Sequence, residues 1–176
     1  MRYASLLPIS LFCLAALQSC KESREDQLVG EWQEVAVVNP QLEEAIIEQQ
    51  VFSDTVGRTT TPEQNLALYG TADIEAMRAG LKVNLDSFRK SQFEAVQATR
   101  FDFKKGGLLY IHSMDGVDSS NWYLDDDGAL IMDEAKLKGA GNKIRMEISE
   151  LSDTLLKLQF TEQYLTSTAV FKPVKK

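Results

Sequence analysis

Side chains that commonly carry catalysis are scarce in this sequence. His112 is the only histidine among 176 residues, and it ends a short run, Leu108 to His112, that is typical of a strand. A serine nucleophile would need this histidine as its base, and no G-x-S-x-G turn is present to hold one. The 26 acidic residues include no pair that spacing singles out for glycoside hydrolysis. We therefore expect no catalytic residues and no enzymatic activity.

One acidic run, Asp125 to Glu134, matches part of a calcium-binding loop. Its residues fall at positions three, five, six, eight and twelve of the EF-hand pattern. Position one would be Tyr123, which has no carboxylate, and the flanking segments alternate like strands instead of forming helices. A hairpin turn at residues 125–128 is the interpretation we favour, and no metal site is expected.

The N-terminus has the three parts of an export signal. Arg2 is the only charge before Lys21, and the stretch from Tyr3 to Leu17 is uncharged and apolar. That stretch is shorter than the ~20 residues that span a bilayer. It ends in Leu17-Gln18-Ser19-Cys20, which resembles the lipobox of bacterial lipoproteins. The resemblance implies cleavage before Cys20, a lipid on its thiol and acylation of the new amine.

This resemblance sets the expected domains and location. Residues 1–19 would be a signal peptide and residues 20–27 a flexible tether, and two or more acyl chains would anchor the protein stably. Lys21, not aspartate, follows the cysteine, which favours the outer membrane; its periplasmic face and the cell surface both stay open. The alternative is an ordinary secretory signal or an uncleaved anchor.

Composition limits the partners of the mature chain. Without residues 1–19, 157 residues remain, with 18 basic and 26 acidic side chains and a net charge of −8. This length suits one domain. Its acidity disfavours nucleic acid and anionic lipid head groups, so membrane contact is assigned to the lipid on Cys20. Cys13 lies in the signal peptide, so zinc would need mostly carboxylate ligands, and no cofactor is expected.

Hydrophobic periodicity predicts a first strand, then helices, then strands. Leu28 to Val38 is typical of a strand, and residues from about 40 to 96 form a helical insertion. Helices are predicted to start at Asn39-Pro40 and at the capping box Thr61-Pro62-Glu63-Gln64. A third, from Asp73 to about Val96, carries an apolar stripe of Ile74, Met77, Leu81, Leu85 and Phe88. We interpret the stripe as a face that packs against the rest of the fold; the alternative is a partner-binding or membrane face.

After Val96 the period changes to two. Strands are predicted at residues 100–104, 108–112, 121–124, 129–132, 143–150, 154–160 and 164–172, and the turn signals between them recur every 8–12 residues, which is typical of an antiparallel sandwich or barrel. Gly30-Glu31-Trp32 in the first strand resembles the G-x-W motif of lipocalins. The resemblance covers residues 28–176 apart from the insertion. It implies a mainly β fold: a lipocalin-like antiparallel up-and-down β-barrel of about eight strands, with an α-helical insertion after the first strand.

The resemblance also assigns structural roles. Trp32 would pack across the closed end of the barrel beneath a basic side chain near the last strand, for which Lys172 is the best-placed candidate. Of the neighbours Trp122 and Tyr123, one is expected in the core and the other at the surface or in a pocket.

The resemblance implies a lipid-anchored envelope lipoprotein whose barrel could bind a small apolar ligand. The alternative is a non-enzymatic accessory module that docks on another envelope protein. The helices either cap the barrel mouth, with the stripe from Ile74 to Phe88 facing inward, or lie along an outer sheet face. A deep apolar cavity would favour the carrier, and a filled barrel with exposed apolar helices would favour the module.

Overall fold

The computed structural model describes residues 23–162 and 164–175. The predicted signal peptide and lipidation site, residues 1–20, lie outside these ranges. The helices in the described chain are α1 (Arg24–Leu28), α2 (Pro40–Thr55), α3 (Pro62–Tyr69), α4 (Ile74–Ala98) and α5 (Glu134–Lys138). The strands are β1 (Gly30–Val38), β2 (Arg100–Phe103), β3 (Leu108–Ser113), β4 (Gly116–Leu124), β5 (Leu130–Asp133), β6 (Lys143–Ser152), β7 (Leu155–Glu162) and β8 (Leu165–Pro173).

The eight described strands form a closed antiparallel barrel. Each strand pairs with its neighbours in sequence, and β1 pairs with β8 to complete the circle. The prediction of a mainly β, up-and-down barrel with a helix directly after the first strand is therefore confirmed. Closure leaves no strand at the edge of a sheet, which removes the usual route to edge-to-edge aggregation.

The two ends of the barrel differ. Because the strands alternate in direction, helix α1 and the β2–β3, β4–β5 and β6–β7 turns share one end, which we call the α1 end. Helices α2, α3 and α4 connect β1 to β2 at the opposite end, the insertion end, together with α5 and the β3–β4 and β7–β8 connections. The predicted insertion, about 40–96, thus corresponds to these three helices.

The barrel interior is filled by large apolar side chains. Phe101 packs on Phe171 with ring centroids 4.9 Å apart, and Phe103 meets Trp122 edge-to-face at 5.2 Å, a geometry that adds to plain area burial. The buried cluster comprises Leu28, Trp32, Phe101, Phe103, Leu109, Trp122, Leu130, Met132, Met146, Leu156, Leu158, Ala169 and Phe171. Strand alternation places these residues on the inner face and most charged residues on the outer face; the buried Glu34 is an exception.

Three local features differ from the sequence-based expectations. Residues 24–28, most of them assigned to the flexible tether, form helix α1, because the Ser23 side chain caps it and Leu28 is fully buried in the core. The first strand consequently starts at Gly30, not Leu28. Strand β4 begins at Gly116, five residues before the predicted start at Asn121. Helix α5, capped by Asp133, was not predicted.

Two further observations concern the described residues. Their helices include none that is long and apolar enough to cross a membrane. Across 23–162 and 164–175, no three histidine, cysteine, aspartate or glutamate side chains gather as metal ligands would.

Candidate binding surface on the helical insertion

Two polar clamps fix the insertion to the barrel. At its start, Asn39 caps α2 through its side-chain oxygen and donates a 2.9 Å hydrogen bond from Nδ2 to the Ser167 hydroxyl of β8. At its end, Gln33 Nε2 donates to the carbonyl oxygens of Gln97 and Thr99 at 3.0 and 2.8 Å. Asn39 is buried, so its contact with Ser167 is largely shielded from competition with water. The insertion therefore has a defined position relative to the strands.

Helices α2 and α4 pack on each other and form the body of the insertion. Polar contacts join them: Lys82 to Asp54 at 2.8 Å, and Arg89 Nη2 to Gln50 Oε1 at 2.7 Å. The predicted apolar stripe of α4 contributes to this packing, since Leu81, Leu85 and Phe88 line a groove shared with α2. The stripe thus packs on α2. The two arrangements expected from the sequence, a cap over the barrel mouth and packing along an outer sheet face, did not include this contact.

A first groove lies between α2, α4 and the end of β1. It has a volume of about 290 Å³. Val35 and Val37 of β1 remain 38% and 41% exposed there, and Phe93 of α4 is 65% exposed. Its lining is Val35, Ala36, Val37, Asn39, Leu42, Glu43, Ile46, Arg89, Gln92, Phe93 and Val96. Exposed aromatic and branched side chains around a cleft are typical of a surface that another molecule covers.

A second groove, of about 320 Å³, follows the α2–α4 contact further from the barrel. It shares Leu42 and Ile46 with the first groove, and its lining contains no charged side chain. The other lining residues are Ala45, Gln49, Leu81, Asn84, Leu85 and Phe88. Together, the two grooves leave accessible apolar surface on the α2–α4 pair.

The side of α2 turned away from α4 is also partly apolar. Glu44, Ile47, Glu48 and Val51 follow one another at helical spacing on this side. Ile47 is 62% exposed and Val51 is 56% exposed. We call these four residues the outer face of α2. None of its carboxylates forms an ion pair within the described residues.

A buried carboxyl group lies where the insertion joins the barrel. Glu34 is only 6% exposed and pairs with the core residue Phe171 of β8. Its backbone N–H donates to the carbonyl oxygen of Thr99 at 3.0 Å. Burial raises the pKa of Glu34 to about 7, and a hydrogen bond with the Thr99 side chain opposes this only in part. This acid therefore titrates near neutral pH.

A separate cleft opens between β6 and β7 at the insertion end. These strands pair only as far as Glu147 and Gln159, and beyond that point they diverge. The resulting cleft has a volume of about 620 Å³. Met146 and Phe160, whose side chains belong to or pack against the core, form its inner wall. Asn142, Lys143, Ile144, Arg145, Thr161 and Glu162 complete its lining.

The residues of the G-x-W motif lie at the α1 end. Gly30 has φ = +140°, a conformation that favours glycine. Trp32 is buried, and its Nε1 donates a 2.9 Å hydrogen bond to the Leu28 carbonyl oxygen. Lys172 stands opposite Gln33, one residue along from Trp32, so its side chain is on the outer face of the barrel. The expected placement of Lys172 over Trp32 was therefore wrong.

The remaining candidates have local roles. His112 lies beside Arg100, with ring nitrogens 3.3–3.4 Å from Nη2. Asp125 closes the predicted hairpin by accepting hydrogen bonds from the N–H groups of Asp127 and Ala129. Trp122 is in the core, and Tyr123 lies under two lysine ammonium groups. The structure brings none of these candidates together into one site.

The sequence predicted neither the two grooves nor the burial of Glu34. Helical spacing identified the side of α4 that packs, but it could not say that α2 would leave a groove beside it. Glu34 was overlooked because the alternation of β1 is broken by a bulge between Glu34 and Ala36. One signal was present: counting in steps of two from Trp32 places Glu34 inward.

Comparisons with known proteins assign no family to this chain. The sequence matches no family model and no curated protein. Among solved structures, it is similar to a DUF4847 family protein from Bacteroides vulgatus, with 10% identical residues and a TM-score of 0.40. That similarity covers 84% of this chain and 94% of the other. We draw nothing about function from a likeness at this level.

Proposed function

We propose that this chain is a lipid-anchored, non-enzymatic binding protein of the bacterial cell envelope. In this proposal the barrel is a rigid scaffold, and the helical insertion carries the binding surface. The observation that supports it is the contrast between the two parts. The barrel interior is filled by buried side chains, whereas the α2–α4 pair keeps two apolar grooves open to solvent.

Anchoring at Cys20 would orient the binding surface relative to the membrane. Ser23, the first described residue, lies at the α1 end, and three chain steps of at most ~3.6 Å each separate it from Cys20. A lipid on Cys20 therefore holds the α1 end close to the membrane. The nine residues of β1 then carry the insertion roughly 20–25 Å further out along the barrel axis, because barrel strands are tilted by about 40°. The binding surface faces away from the bilayer, towards soluble or neighbouring envelope components.

An apolar fluorescent probe tests where binding occurs. We expect the mature protein to take up the probe, and Phe93→Ser and Phe88→Ser, one in each groove, to weaken uptake severalfold. Met114→Ser is the matched control, because Met114 is 61% exposed on the β3–β4 turn, outside both grooves. Equal uptake by all three variants would contradict the assignment of binding to the insertion.

Fractionation tests the anchor. Mass spectrometry of the membrane-extracted protein should show an acylated Cys20 as its first residue, and Cys20→Ala should release the protein into the soluble fraction. A Cys20→Ala protein that still sediments with membranes would exclude the lipid as the anchor. Protease treatment of intact cells then separates the periplasmic face from the cell surface.

The β6–β7 cleft favours a second candidate function, the binding of a small apolar ligand partly inside the barrel. Its volume of about 620 Å³ falls in the range of ligand pockets, and Met146 and Phe160 give it an apolar wall. Ile144 is 43% exposed there, so Ile144→Ser should be tolerated by the fold. Loss of probe uptake in Ile144→Ser, with Phe93→Ser unchanged, would favour the cleft over the grooves.

A further inference from the structure

We propose that the partner of the insertion is a cationic amphipathic protein segment, which docks on the outer face of α2. This inference rests on the proposed function and names the chemistry of its partner. Two properties of the face carry it: exposed apolar side chains at helical spacing, and carboxylates beside them that no cation of the described chain neutralises.

The apolar part of the face has the geometry of a helix-docking surface. Ile47 and Val51 are one turn apart and both more than half exposed, so they form a short apolar ridge. The ridge points away from α4, because the opposite side of α2, with Leu42 and Ile46, lines the grooves shared with that helix. Nothing within the described residues covers it.

Charge complementarity selects the sign of the partner. Residues 39–72, which hold α2 and α3, carry five carboxylates and one cation, Arg58, a net charge of −4. Helix α4 contributes four cations, but one of them, Lys82, already pairs with Asp54. Glu44 and Glu48, which form a row along one side of the ridge, have no ion-pair partner among the described residues. A partner that presents leucine-like side chains with lysine or arginine beside them satisfies both requirements.

The same features argue against the other occupants. An anionic membrane surface is repelled by the acidic charge. A second copy of this chain would bring the same carboxylates opposite each other. Within the described residues, the two ends of the fold are remote from this face, because Ser23 and Pro173 both lie at the α1 end, across the barrel from α2.

The test uses the mature lipoprotein in detergent and three synthetic peptides. The first is an amphipathic helix of leucine and lysine, the second its leucine and glutamate counterpart, and the third an oligolysine of equal charge. We expect saturable binding of the leucine–lysine peptide only, weakening as salt rises. Both Glu44→Gln/Glu48→Gln and Ile47→Ser/Val51→Ser should weaken it by about tenfold.

Two matched controls separate this face from general acidity. Asp126→Asn/Asp127→Asn removes two charges from a turn at the α1 end, and Val83→Ser removes a side chain that is 62% exposed on α4; each should change affinity by less than about twofold. The proposal would be overturned if oligolysine bound as tightly as the leucine–lysine peptide. It would also be overturned if the control substitutions weakened peptide binding as much as the α2 substitutions do. If the peptide fails but the apolar probe still enters the grooves, only the partner assignment falls. If both fail, the proposed function falls with it.

Discussion

Glu34 should make the stability of the folded protein decrease as the pH rises through neutrality. Glu34 is 6% exposed, its backbone pairs with that of Phe171 on the neighbouring strand β8, and no cation of the described chain contributes to the shift of its pKa. The structure raises its pKa from 4.5 to about 7, so the folded state binds this proton more tightly than the unfolded chain does. Stability from this group is complete below about pH 4.5 and is lost as pH rises towards and past 7.

The size of the effect follows from the two pKa values. A difference of about 2.5 units, at ~1.36 kcal/mol per unit, corresponds to roughly 3 kcal/mol of unfolding free energy by about pH 8. Glu34→Gln keeps the shape of the side chain and removes the ionisation. This variant should therefore match the wild-type protein near pH 4 and exceed its stability near pH 8 by about that amount.

Urea unfolding at several pH values measures this directly. Trp32 and Trp122 are buried in the core, so their fluorescence reports the loss of the barrel. Glu48→Gln removes an exposed glutamate that forms no ion pair among the described residues, and it should keep the wild-type pH profile. Parallel pH profiles for the wild-type protein and Glu34→Gln would refute the reasoning.

Three further substitutions test the packing and the attachment of the insertion by urea unfolding. Phe103→Ala removes a ring that is 1% exposed and should cost about 3–5 kcal/mol; a cost below ~1 kcal/mol would mean that the interior is not tightly packed. Asn39→Ala deletes both the α2 cap and the bond to Ser167 and should cost about 1–2 kcal/mol, whereas an unchanged midpoint would contradict the clamp. Gly107→Ala should cost at least ~1 kcal/mol, because φ is +87° and a Cβ would lie 2.9 Å from the Trp122 carbonyl oxygen; a neutral effect would contradict that close approach.

Local patterns predicted the elements because their signals are contained in short stretches of sequence. The capping box at Thr61 and Gln64 is present as the sequence indicated, and so is the Asn39-Pro40 start of α2. Clean alternation marked β2 and the strands from β6 onward. Only the second half of strand β4 was predicted. Its first residues, Gly116 to Ser120, are mostly polar and do not alternate, and their place in the sheet follows from pairing with the neighbouring strand β3.

The candidate binding surface could not be predicted from local sequence patterns, because it depends on contacts between residues far apart in the chain. Leu85 and Phe88 identified a packing face on α4, but only the fold shows that α2 is its partner and that grooves remain beside the contact. Spacing from Trp32 indicates the inward side for Glu34, but its burial depends on barrel closure with β8, and the exposure of Ile47 depends on what surrounds α2 in the fold. Neither the burial of Glu34 nor the exposure of Ile47 is encoded within a window of neighbouring residues.

Photo-crosslinking in cells tests the central claim, that the insertion and not the barrel is the binding surface. A photoreactive phenylalanine analogue would replace Phe93 in the first groove, Ile47 on the outer face of α2, Phe160 in the β6–β7 cleft or Tyr110 on the barrel wall. We expect one adduct of defined mass that forms at Phe93 or Ile47 and is absent at Tyr110 and Phe160. Adducts confined to Phe160 or Tyr110, with none from the insertion, would contradict it.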